Sequence, residues 1–359
     1  MFDVRGKIFF KRMKKNIIWI DYARTIGIWL VILGHSIQKM PGWKDSFLHT
    51  SWDWIYLFHM PLFFIISGYL YKQKQSETLI TGGGKIWRSL VAPYLVYQMA
   101  YLPFAIWFHR KELLAEGQWW KLLVGILDGD GYNTPISLYV CLPCWFIVSI
   151  IWLRLLFLYV NINKFSTAMM IMLSVLFLVI RKHQGFDLFF CLDSTIMAIP
   201  YFLIGYYMKT KSILERMKGR TKLLSVAILS AIIVSLMLMF NGPAQMNRPS
   251  YGLSIISCYI AGFSGSMLVF SISKLMAHKF GEKPEIKLIS RNTLFIIFAH
   301  WVVLFPFGMV VARVLNNNSN IVVPMMCSLV LSACVLLISK KWIEMWIDKY
   351  PIVFGKSKV

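Results

Sequence analysis

The stretch "IDYARTIGIWLVILGHS", Ile20 to Ser36, decides how the rest of the chain is read. It has the apolar content of a membrane-spanning helix, which needs about 20 such residues, yet it carries Asp21, Arg24 and His35. On a helix turning about 100° and rising about 1.5 Å per residue, Arg24 and His35 fall within about 20° of one face and roughly 16 Å apart in depth. Asp21 lies about 40° to the other side of that face and close enough to Arg24 for an ion pair. A charge at the bilayer centre costs at least about 2.5 kcal/mol. The stripe is therefore expected to face the bundle interior or a cavity, with His35, too deep to snorkel, as its functional end.

The remainder of the sequence supports a membrane setting. Of 359 residues, 58% are hydrophobic and 15% charged, with mean hydropathy +0.61, too apolar for one soluble core. Apolar windows recur near 17–37, 54–71, 89–108, 145–160, 165–180, 192–208, 223–240, 251–273, 293–312 and 322–339. The expected fold class is an all-α polytopic membrane protein, about ten transmembrane helices around a polar tunnel. Its expected organisation is a basic cytoplasmic segment 1–16, a membrane domain 17–340 and a cytoplasmic tail 341–359. The basic N-terminus leads straight into a span with polar residues, not a cleavable signal peptide, so the first helix is expected to be retained.

The net charge of +22 divides by side. With the N-terminus inside, 27 of the 38 Lys and Arg fall in cytoplasmic segments and 9 opposite, while Arg24 and Arg154 lie within spans. That excess is what the positive-inside rule needs, so both termini are expected in the cytoplasm and nucleic acid is not an expected partner.

Cys258, Cys327 and Cys334 lie in spans and are expected to pack as small apolar groups. Cys141 and Cys144 in "CLPC", with Cys191, fall on or near the outer face, where a disulfide can persist. A lone CxxC with no second ligand pair is weak support for zinc or redox chemistry. In the long outer connection, "GQWWKLLVGIL" suits a helix lying in the interface. "DGDGYNTP" after it, with Asp128 and Asp130, lacks calcium-loop spacing and reads as a solvated loop.

Two further histidines lie in or near spans, His59 in "IYLFHMPLFFIISGYLY" and His300 in "ISRNTLFIIFAHWVVLF". Neither pairs with another histidine at i, i+3 or i+4, so one helix cannot build a metal site. A site assembled across helices from His35, His59 and His300 remains the alternative. The expectation is that no metal is bound and that each hydrogen-bonds within the bundle, one of them doing proton chemistry. In "KIWRSLVAPYL", Lys85 and Arg88 stand three residues apart beside a "TGGG" run, either as boundary anchors or as a phosphate-recognition pair. The P-loop spacing is absent.

Taken in order, these motifs resemble the acyltransferase 3 family of bacterial membrane acyltransferases, particularly its fucose 4-O-acetylase-like branch. Arg24, ten residues and His35 are similar to the family's first-helix pattern. "FHMPLFFIISGYLY" resembles its second-helix motif and "KIWRSLVAPYL" the basic start of its third helix. "CWFI", "IPYFLIGYYMK" and "ISRNTLFIIFAH" resemble later landmarks. The resemblance implies acyl transfer, commonly acetyl, from cytoplasmic acyl-coenzyme A as co-substrate to a carbohydrate hydroxyl outside the inner membrane. It implies His35 as the catalytic histidine with Arg24 in support and Asp21 beside it, and Lys85 with Arg88 at the coenzyme A end. His59, Ser67, Trp145 and His300 become candidate oxyanion or tunnel residues. The basic pair departs from the family's usual Arg-x-x-Arg by its lysine, which loses one planar fork. A polysaccharide-precursor transporter or flippase is the rival reading, which internal sequence symmetry would favour; none is visible. A non-catalytic assembly partner is a third, in which replacing His35 would be harmless.

Overall fold

A computed structural model of the chain describes residues 17–73, 78–247, 250–315 and 322–356; the expected basic segment 1–16 and the "NNNSN" connection lie outside these. The described residues form helices, with one isolated antiparallel bridge between Gln245 and Ser250. The protein is thus an all-α polytopic membrane protein. The first half comprises α1 (Ile18–Ile37), α2 (Phe47–Tyr56), α3 (His59–Leu70), α4 (Leu79–Ile86), α5 (Ala92–Phe108), α6 (Arg110–Glu116), α7 (Trp120–Asp128) and α8 (Trp145–Tyr159). The second comprises α9 (Lys164–Gln184), α10 (Leu192–Thr210), α11 (Ile213–Arg216), α12 (Arg220–Asn241), α13 (Ile255–Phe280), α14 (Pro284–Arg291), α15 (Thr293–Val314) and α16 (Val322–Trp346).

Eight helical stretches among the described residues are long and apolar enough to cross a membrane. Two of the ten expected spans, α1 and α10, are not among them, although they are 20 and 19 residues long. The shortfall is in polar content, and the packing accounts for it. Helix α1 packs against α3, α13, α14, α15 and α16, and α10 against α3, α8 and α9, so both are largely screened from lipid. Polar side chains are tolerated where protein, not hydrocarbon, surrounds them.

The α3–α10 crossing shows how closely the centre is packed. A Cβ on Gly68 would lie 1.8 Å from the Phe202 carbonyl oxygen, and one on Gly205 would lie 2.0 Å from that of Ile65. Only glycine on both helices lets the two backbones touch.

The second expected span is two helices, broken at Leu57 and Phe58. Pro61 has no N–H to offer Leu57 and its ring crowds the preceding turn, so the break falls four residues before it. The third begins earlier than expected, because α4 runs through a π-helical turn, Trp87–Val91, into α5. At the chain's end, the turn Pro351–Phe354 folds back on the bundle: Tyr97 donates to the Val353 carbonyl at 2.5 Å and the Phe354 ring packs on Phe295.

Helix α7 has the amphipathic character expected of it. Leu122 and Ile126 are buried, while Trp119, Trp120, Leu123 and Leu127 are exposed. The loop after it departs from the solvated reading. Asp128 and Asp130 are buried, and they accept the backbone N–H groups of Phe190 (2.6 Å) and Cys191 (3.0 Å). Phe190 and Cys191 both adopt left-handed backbone, φ 61° and 53°. Two side chains without β-branching are held there by carboxylates that the sequence alone gives no reason to bury. Burial, and then the neighbouring Asp128 carboxylate, push Asp130 up to about 7.

Candidate functional site

Three imidazoles meet at the middle of the bundle. The His35 ring stacks on His300 with centroids 5.3 Å apart and meets Trp301 edge-on at 5.1 Å. His59 Nδ1 lies 3.0 Å from the Ile55 carbonyl, His300 Nδ1 2.9 Å from that of Ile296, and His35 Nδ1 3.0 Å from Gln38 Oε1. Each of these oxygens is an acceptor, so each Nδ1 carries the proton and each Nε2 the lone pair. Such rings are poised as bases, not as donors.

His35 opens onto a cavity of about 30 Å³, lined also by Tyr56, His59, Trp145, Phe146 and Asn247. Tyr56 hydroxyl is 3.5 Å from His35 Nδ1. In their Nδ1–H tautomers the histidines have no N–H to offer an oxyanion here. The indole of Trp145, the Tyr56 hydroxyl and the Asn247 amide are the groups with hydrogens to give. His300 lies behind His35, and its Nε2 has no hydrogen-bond partner among the described residues.

A second cavity, about 400 Å³, lies at the other end of α1. It is lined by Arg24, Lys72, Lys85, Arg154 and Arg291, with Ser67, Ser290 and Asn292. The expected Asp21–Arg24 ion pair is not formed. Asp21 accepts from Ser290 at 2.7 Å, and Arg24, with no hydrogen-bond partner among the described residues, lines the cavity. Five cationic side chains around one concavity give it a strongly positive lining, and guanidinium groups have the geometry to pair with anionic oxygens. Phe146 lines both this cavity and the histidine cavity. Its ring packs against Phe63 and Phe64, at 5.7 and 5.1 Å between centroids.

The fold divides the residues chosen from sequence. Arg24, Ser67 and Lys85 line the large cavity; His35, His59 and Trp145 line the small one. Arg88 does not join Lys85. It lies in the π-helical turn, is exposed, and its Nε donates to the Gly84 carbonyl at 3.2 Å. No group of three or more His, Cys, Asp or Glu among the described residues has metal-binding geometry. Gln38, Lys72, Arg291 and Phe146 escaped the sequence reading. Gln38 had a signal, standing three residues after His35 on the same helix. Phe146 stood inside the "CWFI" landmark, but nothing there marked its ring as a wall shared by two cavities.

Residues 17–339 match the family model described as an acyltransferase domain. A stretch of 52 residues is 48% identical to the nodulation protein NolL of Mesorhizobium japonicum, covering 14% of this chain and 14% of that protein. The chain thus matches only a small part of that curated relative's length. No solved structure matches.

Proposed function

The chain belongs to the acyltransferase 3 family, and on that premise we propose that it moves an acyl group, acetyl by preference, from cytoplasmic acyl-coenzyme A to a hydroxyl of a carbohydrate outside the bacterial inner membrane. The acceptor would be a cell-surface polysaccharide or its precursor. One observation carries the reading. A single helix, α1, sets Arg24 in a cation-lined cavity and His35 in a second cavity, and one aromatic ring, Phe146, borders both. Coenzyme A is a polyanion with a long neutral arm ending in the thioester. A cationic chamber that shares the wall residue Phe146 with a histidine-lined cavity fits that shape.

In this reading both termini are cytoplasmic, as the 27 to 9 division of basic residues requires. The phosphates sit among Arg24, Lys72, Lys85, Arg154 and Arg291, and the pantetheine arm passes Phe146 to place the thioester beside His35. His35 Nε2 takes the proton of the sugar hydroxyl as its oxygen attacks the thioester carbon. The tetrahedral oxyanion accepts hydrogen bonds from Trp145, Tyr56 or Asn247. The intermediate then collapses, the carbon–sulfur bond breaks, and the departing thiolate takes the proton from His35. Gln38 holds the ring in the tautomer this sequence needs.

Calorimetry on detergent-purified protein tests the donor half. The wild type is expected to bind acetyl-coenzyme A or a longer acyl-coenzyme A, and absence of heat with all of them would count against the reading. A flippase has no reason to bind either.

A further inference from the structure

The "CLPC" turn is unused by the reaction above, yet it forms part of the wall of the His35 cavity. Leu142 and Pro143, the two residues between its cysteines, both line that cavity. Residues Leu142–Cys144 form a 3-10 turn at the start of α8, closed by the Cys144 N–H donating to the Cys141 carbonyl at 3.1 Å. A turn closed between residues i and i+3 brings their Cα atoms within about 7 Å. Disulfides span about 4.4–6.8 Å between Cα atoms. The two thiols are close enough to influence one another electrostatically. Both side chains are buried, and Gln98 of α5 accepts the Cys141 N–H at 3.1 Å.

A third thiol, Cys191, is near but otherwise engaged. Its Sγ donates to the Asp128 carbonyl at 3.6 Å, and its backbone is fixed in the left-handed region by the N–H bond to Asp130. Turning its side chain toward Cys144 would give up the Sγ bond, while the backbone stays held by Asp130.

The geometry points to Cys141 and Cys144 as a dithiol that closes into a disulfide and stiffens the outer wall of the His35 cavity. Both are thiols in this structure. Closure joins the two sulfurs; each thiol gives up its proton, and the two electrons reduce the disulfide of a thiol–disulfide oxidant to two thiols. Because the pair is buried, exchange takes place as the loop 129–144 closes during folding, or when it opens. The ring so formed contains Leu142 and Pro143, so it constrains the wall residues directly. The turn geometry holds whatever reaction the neighbouring histidine performs.

Peptide mapping of the whole protein tests this. One sample is taken from membranes whose thiols are alkylated under denaturing conditions at lysis, and a second is first equilibrated in detergent with oxidised glutathione. The tryptic segment between Lys121 and Arg154 is expected to be unalkylated at Cys141 and Cys144 and two hydrogens lighter than the reduced segment, with Cys191 alkylated. The detergent sample makes the result independent of which side of the membrane the turn faces. Replacing Cys144 by Ser should make Cys141 alkylatable, and Cys191→Ser should leave the bridge intact. Alkylation at both positions in both wild-type samples, or a bridge that includes Cys191, would overturn the inference without reliance on any variant.

Discussion

His35 Nδ1 stands 3.0 Å from the amide oxygen of Gln38, one turn further along the same helix end. A neutral amide oxygen fixes the tautomer and orientation of the ring without adding charge to the site. A carboxylate there would do the same and also stabilise the imidazolium. Gln38→Leu is therefore expected to lower kcat by about tenfold or more with little change in the KM for acyl-coenzyme A, part of the 10²–10⁴ that a positioned base contributes. Gln38→Glu should keep most of the rate while moving the acidic limb of the pH–rate profile upward, because a carboxylate favours the protonated ring. Equal profiles for wild type and Gln38→Glu would remove Gln38 from contact with the base.

The two members of the basic pair are expected to behave differently. Lys85 lines the cationic cavity and Arg88 does not. Charge-assisted contacts contribute about 1.5–3 kcal/mol each, so Lys85→Ala, Arg24→Ala or Arg291→Ala should each weaken acetyl-coenzyme A binding by about tenfold or more. Arg88→Ala should leave it within about threefold. The losses should shrink at high salt, where the open end of the cavity is screened. Calorimetry in which Arg88→Ala loses as much affinity as Lys85→Ala would show that the phosphates sit elsewhere.

Phe146 lines both the cationic cavity and the histidine cavity. Enlarging it to Trp should slow transfer while leaving binding of coenzyme A itself intact, since the phosphates do not pass that point. Stopped-flow or quenched turnover with Phe146→Trp, set beside calorimetry on the same preparation, separates the two effects. A variant with unchanged turnover would mean that the acyl arm takes another route.

The carboxylate clamp on Phe190 and Cys191 should respond to pH. Asp130 is raised to about 7 by burial and by Asp128, against about 3.9 in an unfolded chain. A carboxyl raised on folding contributes stability that is full below pH 4 and lost as pH rises through 7. Hydrogen exchange at the Phe190 and Cys191 amides, which Asp128 and Asp130 hold, should therefore show opening free energies that fall between pH 4 and 8 after correction for intrinsic exchange. Asp130→Asn should flatten that dependence, and a flat wild-type curve would mean that the clamp does not titrate.

Much of this was written in the first helix. The spacing of Arg24 and His35 depends only on helical geometry, and the bundle sets each in a cavity as that geometry requires. The pairing of α3 with α10 was not legible, because Gly68 and Gly205 meet only across 137 positions of sequence. Nor was the fate of Asp21. Its nearest sequence partner is Arg24, but the hydrogen bond it accepts comes from Ser290 of α14, 269 positions away. The displacement of Arg88 from Lys85 follows from the π turn, which regular helical arithmetic does not anticipate. The "DGDGYNTP" loop misled for the opposite reason: its composition is that of a turn, and its burial comes from the backbone at Phe190 and Cys191 that it holds.

Acyl transfer is expected to depend on His35 more than on any other residue. A deletion strain is complemented with wild type or with His35→Ala at matched membrane levels, and O-acyl groups on its surface carbohydrate are quantified by mass spectrometry. The expected result is loss of a defined O-acetyl substitution in the deletion strain, full return with the wild type, and return of about 1% or less of the transfer rate with His35→Ala, the scale of losing a general base. Wild-type acylation restored by His35→Ala, at a comparable rate, would contradict it.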